Sequence, residues 1–159
     1  MTMNLGLVGG DNMSSEDKAY ITFGADVGGV EADEAVSPHL MKLRKLLELY
    51  CNYRYAPELD EFAPIARIDG DIGYWEFEGT EKLRLSKKYR YITIDIGMPK
   101  HRWQGVPPIE IRKYLLENLK QALKLMVQKL KKEKYEVDDV RLFKDFEKVE
   151  KEYLSDHIC

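Results

Sequence analysis

Apolar residues recur at helical spacing in three stretches of this chain, and between the first two they alternate with polar ones. Leu40, Leu43, Leu46, Leu47 and Tyr50 mark one helical face, with Lys42, Arg44, Lys45 and Glu48 largely opposite. Ser37 suits an N-cap and Pro38 a first helical position, where its missing N–H has no partner to lose. The pattern predicts a helix over 37–54. A second apolar stripe, Ile109, Leu115, Leu116, Leu119, Ala122, Leu123, Met126 and Leu130, predicts a long helix over 108–134. Its end carries Lys129, Lys131, Lys132 and Lys134, where cations complement the helix dipole. A third stripe, Val140, Leu142, Phe143, Phe146, Val149, Tyr153 and Leu154, predicts a helix over 138–155.

The intervening region reads as a meander. Asp69-Gly70 is a strong hairpin signal, because both residues tolerate positive φ. It is expected to join Ala63–Ile68 to Asp71–Phe77. A second turn, at 78–80, leads into Glu81–Leu85 and sets Trp75 opposite Leu83 and Glu76 opposite Lys82. A third turn, near Ser86–Lys88, leads into Tyr89–Gly97. There Ile92, Ile94 and Ile96 face one way while Tyr91, Thr93 and Asp95 face the other. Ala19–Phe23 is one further strand candidate. Together these patterns predict an α+β fold, a mainly antiparallel sheet of four to five strands packed against three helices. The whole chain, 1–159, reads as a single domain. Residues 1–18 read as a flexible arm or a loop-rich edge of it.

Charge changes this picture more than composition does. The net charge of -3 divides into territories. Residues 1–79 carry fifteen acids against six bases, residues 80–134 five against fifteen, and residues 135–159 eight against four. Such territories either pair internally or face different partners. The early glycines lack the spacing of a phosphate-binding loop. Cys51 lies in a helical apolar pattern and reads as a small core residue, and Cys51 with Cys159 makes no disulfide framework. No secretory leader is evident at the N-terminus, and no apolar run reaches the ~20 residues that span a bilayer. A cytoplasmic protein with no membrane contact is expected.

Four acids, Asp69, Asp71, Glu76 and Glu78, flank the first predicted hairpin. They do not match the spacing of a calcium loop, and no acid–base partner stands near enough in sequence to suggest catalytic roles. An acidic surface that meets a basic partner is the better reading. The run Lys82, Arg84, Lys87, Lys88, Arg90, with Tyr89 and Tyr91, has the chemistry of a nucleic-acid surface extending over 82–134. Nearby Glu76, Glu78 and Glu81 and the negative total oppose that alternative. His101-Arg102-Trp103 follows a strand end, where functional groups are often displayed. Trp103 either plugs the sheet edge or joins Arg102 as an interface anchor. Tyr50, Tyr53 and Tyr55 with Arg54 read as a helix end packed on the sheet. No metal-ligand spacing links the three histidines, and neither a metal nor a cofactor is expected.

The YWEFEG segment at 74–79, the YITIDIGMP strand at 91–99 and the HRWQG loop at 101–105 together resemble small bacterial immunity proteins of contact-dependent-inhibition and other polymorphic toxin systems. That resemblance implies a compact cytosolic domain without catalytic turnover. It also implies a cognate toxin domain as partner, often a nuclease, whose active site or movement is blocked. On this reading Asp69, Asp71, Glu76, Glu78, Arg102 and Trp103 are the contact candidates. A nucleic-acid-binding protein and a small hydrolase are the competing classes.

Overall fold

The first apolar stripe forms helix α1, Val30–Tyr50. The computed structural model describes residues 22–23, 30–59, 67–68, 72–73, 79–97 and 103–155. Helix α1 starts before the expected Ser37 cap, so Pro38 lies inside it. Proline offers no N–H to the carbonyl one turn back, and that rung of the helix is missing. Tertiary burial outweighs the loss: Val36, Leu40, Leu43, Leu46 and Leu47 are all buried.

Helix α2, Pro108–Lys132, begins where a proline costs nothing, and it buries Ile111, Leu115, Leu116, Leu119, Leu123, Met126 and Leu130 on one stripe. It closes in a Schellman motif. Tyr135 N–H donates to the Leu130 carbonyl at 2.8 Å and Lys134 N–H to that of Lys131 at 3.0 Å. The residue that turns left-handed there is Lys134, with φ 69°. A glycine has no Cβ to strain in that conformation, so Lys134→Gly is expected to stabilise the fold by about 0.5–1 kcal/mol. Urea titration reads this directly; a loss of stability would mean the lysine side chain contributes more to the fold than its backbone costs. Helix α3, Asp139–Ser155, buries Leu142, Phe146, Val149 and Tyr153. Two of its expected core residues face outward, Val140 at 77% exposure and Leu154 at 36%.

The strands depart most from expectation. They are β1 (Thr22–Phe23), β2 (Arg67–Ile68), β3 (Ile72–Gly73), β4 (Gly79–Ser86) and β5 (Tyr91–Gly97). Among the described residues the only antiparallel pairing is β4 with β5. The expected antiparallel sheet of four to five strands is therefore replaced by a two-stranded antiparallel hairpin in a mostly helical domain. Short parallel bridges supplement it: β1 pairs with β2, and β3 with the far edge of β5. Gly79 and Thr80, expected in a turn at 78–80, instead pair with Gly97 and Ile96 inside the hairpin. Turn chemistry marks where a chain reverses, and the choice of strand partner is made elsewhere. Here β5, with its run of isoleucines, is central and takes a neighbour on each side. The proposed matches of Trp75 and Glu76 lie outside the described residues.

The hairpin itself has one irregularity, between Glu81 and Arg84, where β4 carries an extra residue. Ile92 and Ile94 are buried, as expected; Thr93, on the other face, is buried too. Helix α2 packs against the hairpin and against α1 and α3, and α1 packs chiefly on α3. No helix among the described residues is long and apolar enough to cross a membrane.

Candidate partner-binding surface

Of the six contact candidates, Asp69, Asp71, Glu76, Glu78 and Arg102 lie outside the described residues. Trp103 is described and buried, 5% exposed, with its ring edge-on to Tyr114 of α2 at 4.8 Å and 61°. Its indole is covered by its own chain and fastens the start of the 103–107 segment to that helix.

Two buried polar clusters hold the helices in place. At the end of α1, Tyr55 donates to Asp145 Oδ2 at 2.5 Å, and Arg141 reaches the same oxygen at 3.5 Å. The Arg141 guanidinium also lies 3.9 Å from the centre of the Tyr53 ring. The tyrosine cluster thus packs on α3. Burial, then the bond to Asp145, pushes the Tyr55 phenol far above its ordinary range. Burial first and the Asp145 charge second push the Cys51 thiol up to about 12. A thiol held in that state is a packing group with little nucleophilic character. The segment after α1 is pinned to the α2–α3 connection: Asp138 N–H donates to the Tyr55 carbonyl at 2.8 Å, and Glu136 N–H to Glu58 at 2.6 Å.

The second cluster sits where all three helices meet. Arg112, 7% exposed, donates from Nη1 to the Tyr153 carbonyl at 2.7 Å and from Nε to His39 Nδ1 at 3.1 Å. Tyr153 in turn donates its hydroxyl proton to the His39 carbonyl at 2.6 Å. Burial, and then the Arg112 charge, hold the His39 imidazole below its ordinary value of 6.5. The unfolded chain therefore takes up this proton at a higher pH than the folded one. The resulting stability is full above 6.5 and is lost as pH falls through the folded value. His39→Gln, which cannot titrate, is expected to lose less stability than wild type between about pH 7 and pH 5. Parallel pH–stability curves for the two proteins would contradict this assignment. Neither Arg112 nor Asp145 was singled out in the sequence, although each is a charged residue within a helical apolar stripe.

One corner of the surface gathers cations. The β4–β5 turn, residues 87–90, carries Lys87, Lys88, Tyr89 and Arg90, and Lys87 binds Glu133 beyond the end of α2 at 2.9 Å. Lys129 shares Glu133 at 3.3 Å, and Lys131 pairs with Asp139 at 3.0 Å. Hydrogen bonds from Lys87 and then Lys129, together with their charges, hold the Glu133 carboxyl below the usual range. Lys88, Arg90, Lys132 and Lys134 are exposed, and none has an ion-pair partner among the described residues. Tyr89 is 57% exposed and stacks on Tyr91, with ring centres 6.5 Å apart.

Among the described residues no group of three or more His, Cys, Asp or Glu side chains is arranged to hold a metal ion. The buried polar groups just described are committed to bonds between helices. The chain belongs to the family of immunity protein 44, whose family model matches residues 19–152. This agrees with the resemblance read from the 74–105 segments. No curated protein and no solved structure matches the chain.

Proposed function

We propose that this chain is a cytosolic, non-catalytic immunity protein of a bacterial contact-dependent-inhibition or related polymorphic toxin system. It binds a cognate toxin domain stoichiometrically and blocks it. The observation that carries this reading is the family match over 19–152. The charge pattern adds to it: fifteen acids in residues 1–79 suit a basic partner, as a nuclease cleft would be. Asp69, Asp71, Glu76, Glu78 and Arg102 are the proposed contacts. Trp103 enters as the residue that anchors the neighbouring segment, because its ring is already covered.

The test is co-expression with the toxin domain encoded by the adjacent upstream reading frame. Wild type should restore growth, and Glu76→Lys with Glu78→Lys should weaken protection and binding by about tenfold or more. Full protection and undiminished binding by the double reversal would remove the acidic contact from the account. No protection by wild type would remove the function itself.

A further inference from the structure

We infer that the corner formed by the β4–β5 turn and the end of α2 is a second toxin-contacting surface, one that receives a carboxylate-rich patch of the toxin domain. This rests on the immunity reading and adds to it a cationic contact that the acidic segment does not supply.

Two non-glycine residues have positive φ among the described residues, Arg90 at 57° and Lys134 at 69°. Both occupy turn positions where glycine would fit without strain, and both carry long cationic side chains. Strain of this kind tends to persist where the side chain has another use. The two positions belong to one corner, because the Lys87–Glu133 ion pair ties the turn to the residues just beyond α2.

Two of the corner's acids, Glu133 and Asp139, are occupied by Lys87, Lys129 and Lys131. Those pairs brace the framework and leave Lys88, Arg90, Lys132 and Lys134 directed to solvent. The Lys88 amine lies 5.2 Å from the centre of the exposed Tyr89 ring. A partly exposed aromatic beside a cation fits a carboxylate surface that presents a planar or apolar group.

A phosphate backbone fits less well. Tyr89 already stacks on Tyr91. A strand-binding platform needs successive open rings.

The experiment measures binding of the full chain to the toxin domain of the adjacent upstream reading frame by calorimetry, at low and at moderate salt. Two variants are compared with wild type, Lys88→Gln/Arg90→Gln/Lys134→Gln and Arg90→Gly/Lys134→Gly. The first should bind about tenfold or more weakly and with a flatter salt dependence. The second should melt at the wild-type temperature or above and still bind more weakly. That combination separates a contact role from a folding role. If wild type binds and both variants match it, the corner is not a contact and the immunity reading stands. If wild type does not bind, both fall. A single-stranded RNA of about 20 nucleotides is the control. Tight binding of that RNA by wild type, lost in the glutamine variant, would overturn the carboxylate partner in favour of nucleic acid.

Discussion

Truncating Phe146 to alanine is expected to cost about 3–5 kcal/mol. The ring is 1% exposed in the middle of α3, with Leu142 and Val149 buried on either side of it. Helix α3 is attached to the rest of the domain by one narrow stripe, so a void at its centre cannot be filled by a neighbouring side chain on the same helix. The surroundings are the buried faces of α1 and α2, which restrict collapse into the gap. For a chain of this length the melting temperature should fall by roughly 10 °C. Urea unfolding should show a lower midpoint at an unchanged slope, the mark of altered stability without altered compactness. A loss below about 1 kcal/mol would contradict the packing of α3 against α1 and α2.

Replacing Arg112 with methionine is expected to cost about 2–4 kcal/mol, although methionine keeps most of the apolar stem. The guanidinium donates to the Tyr153 carbonyl and His39 Nδ1 and lies 4.6 Å from the Tyr153 ring centre. Without it, an acceptor at the end of α3 and one on α1 lose their donor. The loss should be only partly recovered by Arg112→Lys, since an ammonium cannot span both acceptors in a planar fork. Thermal unfolding of the three proteins checks the order wild type, lysine, methionine. A methionine variant as stable as wild type would mean that the three-helix junction is held by packing alone. Arg112→Met should also remove the Arg112 contribution to the depressed His39 value, which histidine titration by NMR reads independently.

The helices were more legible in the sequence than the sheet, for a physical reason. A helix is written in local spacing, and the stripes of α2 and α3 place those helices at 108–132 and 139–155, within two residues of expectation. Helix α1 was misplaced at its start because Ser37-Pro38 has the chemistry of a cap, whereas burial of Val36 carries the helix through it. Strand pairing is a non-local choice. Residues 78–80 suggested a turn, yet Gly79 pairs with Gly97, and Ile72 pairs with Ile96 in parallel; Asp69-Gly70 lies outside the described residues. The β4–β5 hairpin alone followed from its own sequence, because its turn joins two strands of ample length.

The functional surface was legible in part. The segments around Tyr74–Gly79, Tyr91–Pro99 and His101–Gly105 pointed to an immunity protein, and the family match agrees. The cations of 80–134 stood out as a territory, but their distribution did not. Spacing alone cannot reveal that Glu133 and Asp139 neutralise three of them while Lys88, Arg90, Lys132 and Lys134 have no ion-pair partner among the described residues. Nor could it reveal that Trp103, an attractive anchor by residue type, is spent on Tyr114.

The central claim is stoichiometric neutralisation of a toxin domain, and an activity titration tests it most directly. The purified toxin domain of the adjacent reading frame is held at a fixed concentration well above the dissociation constant while the chain is added. Residual activity should fall linearly and reach its floor at one equivalent, and the mixture should run as a one-to-one complex. Activity that persists in molar excess of the chain, or that vanishes at a small fraction of an equivalent, would contradict the claim; the second result would mark the chain as a catalyst.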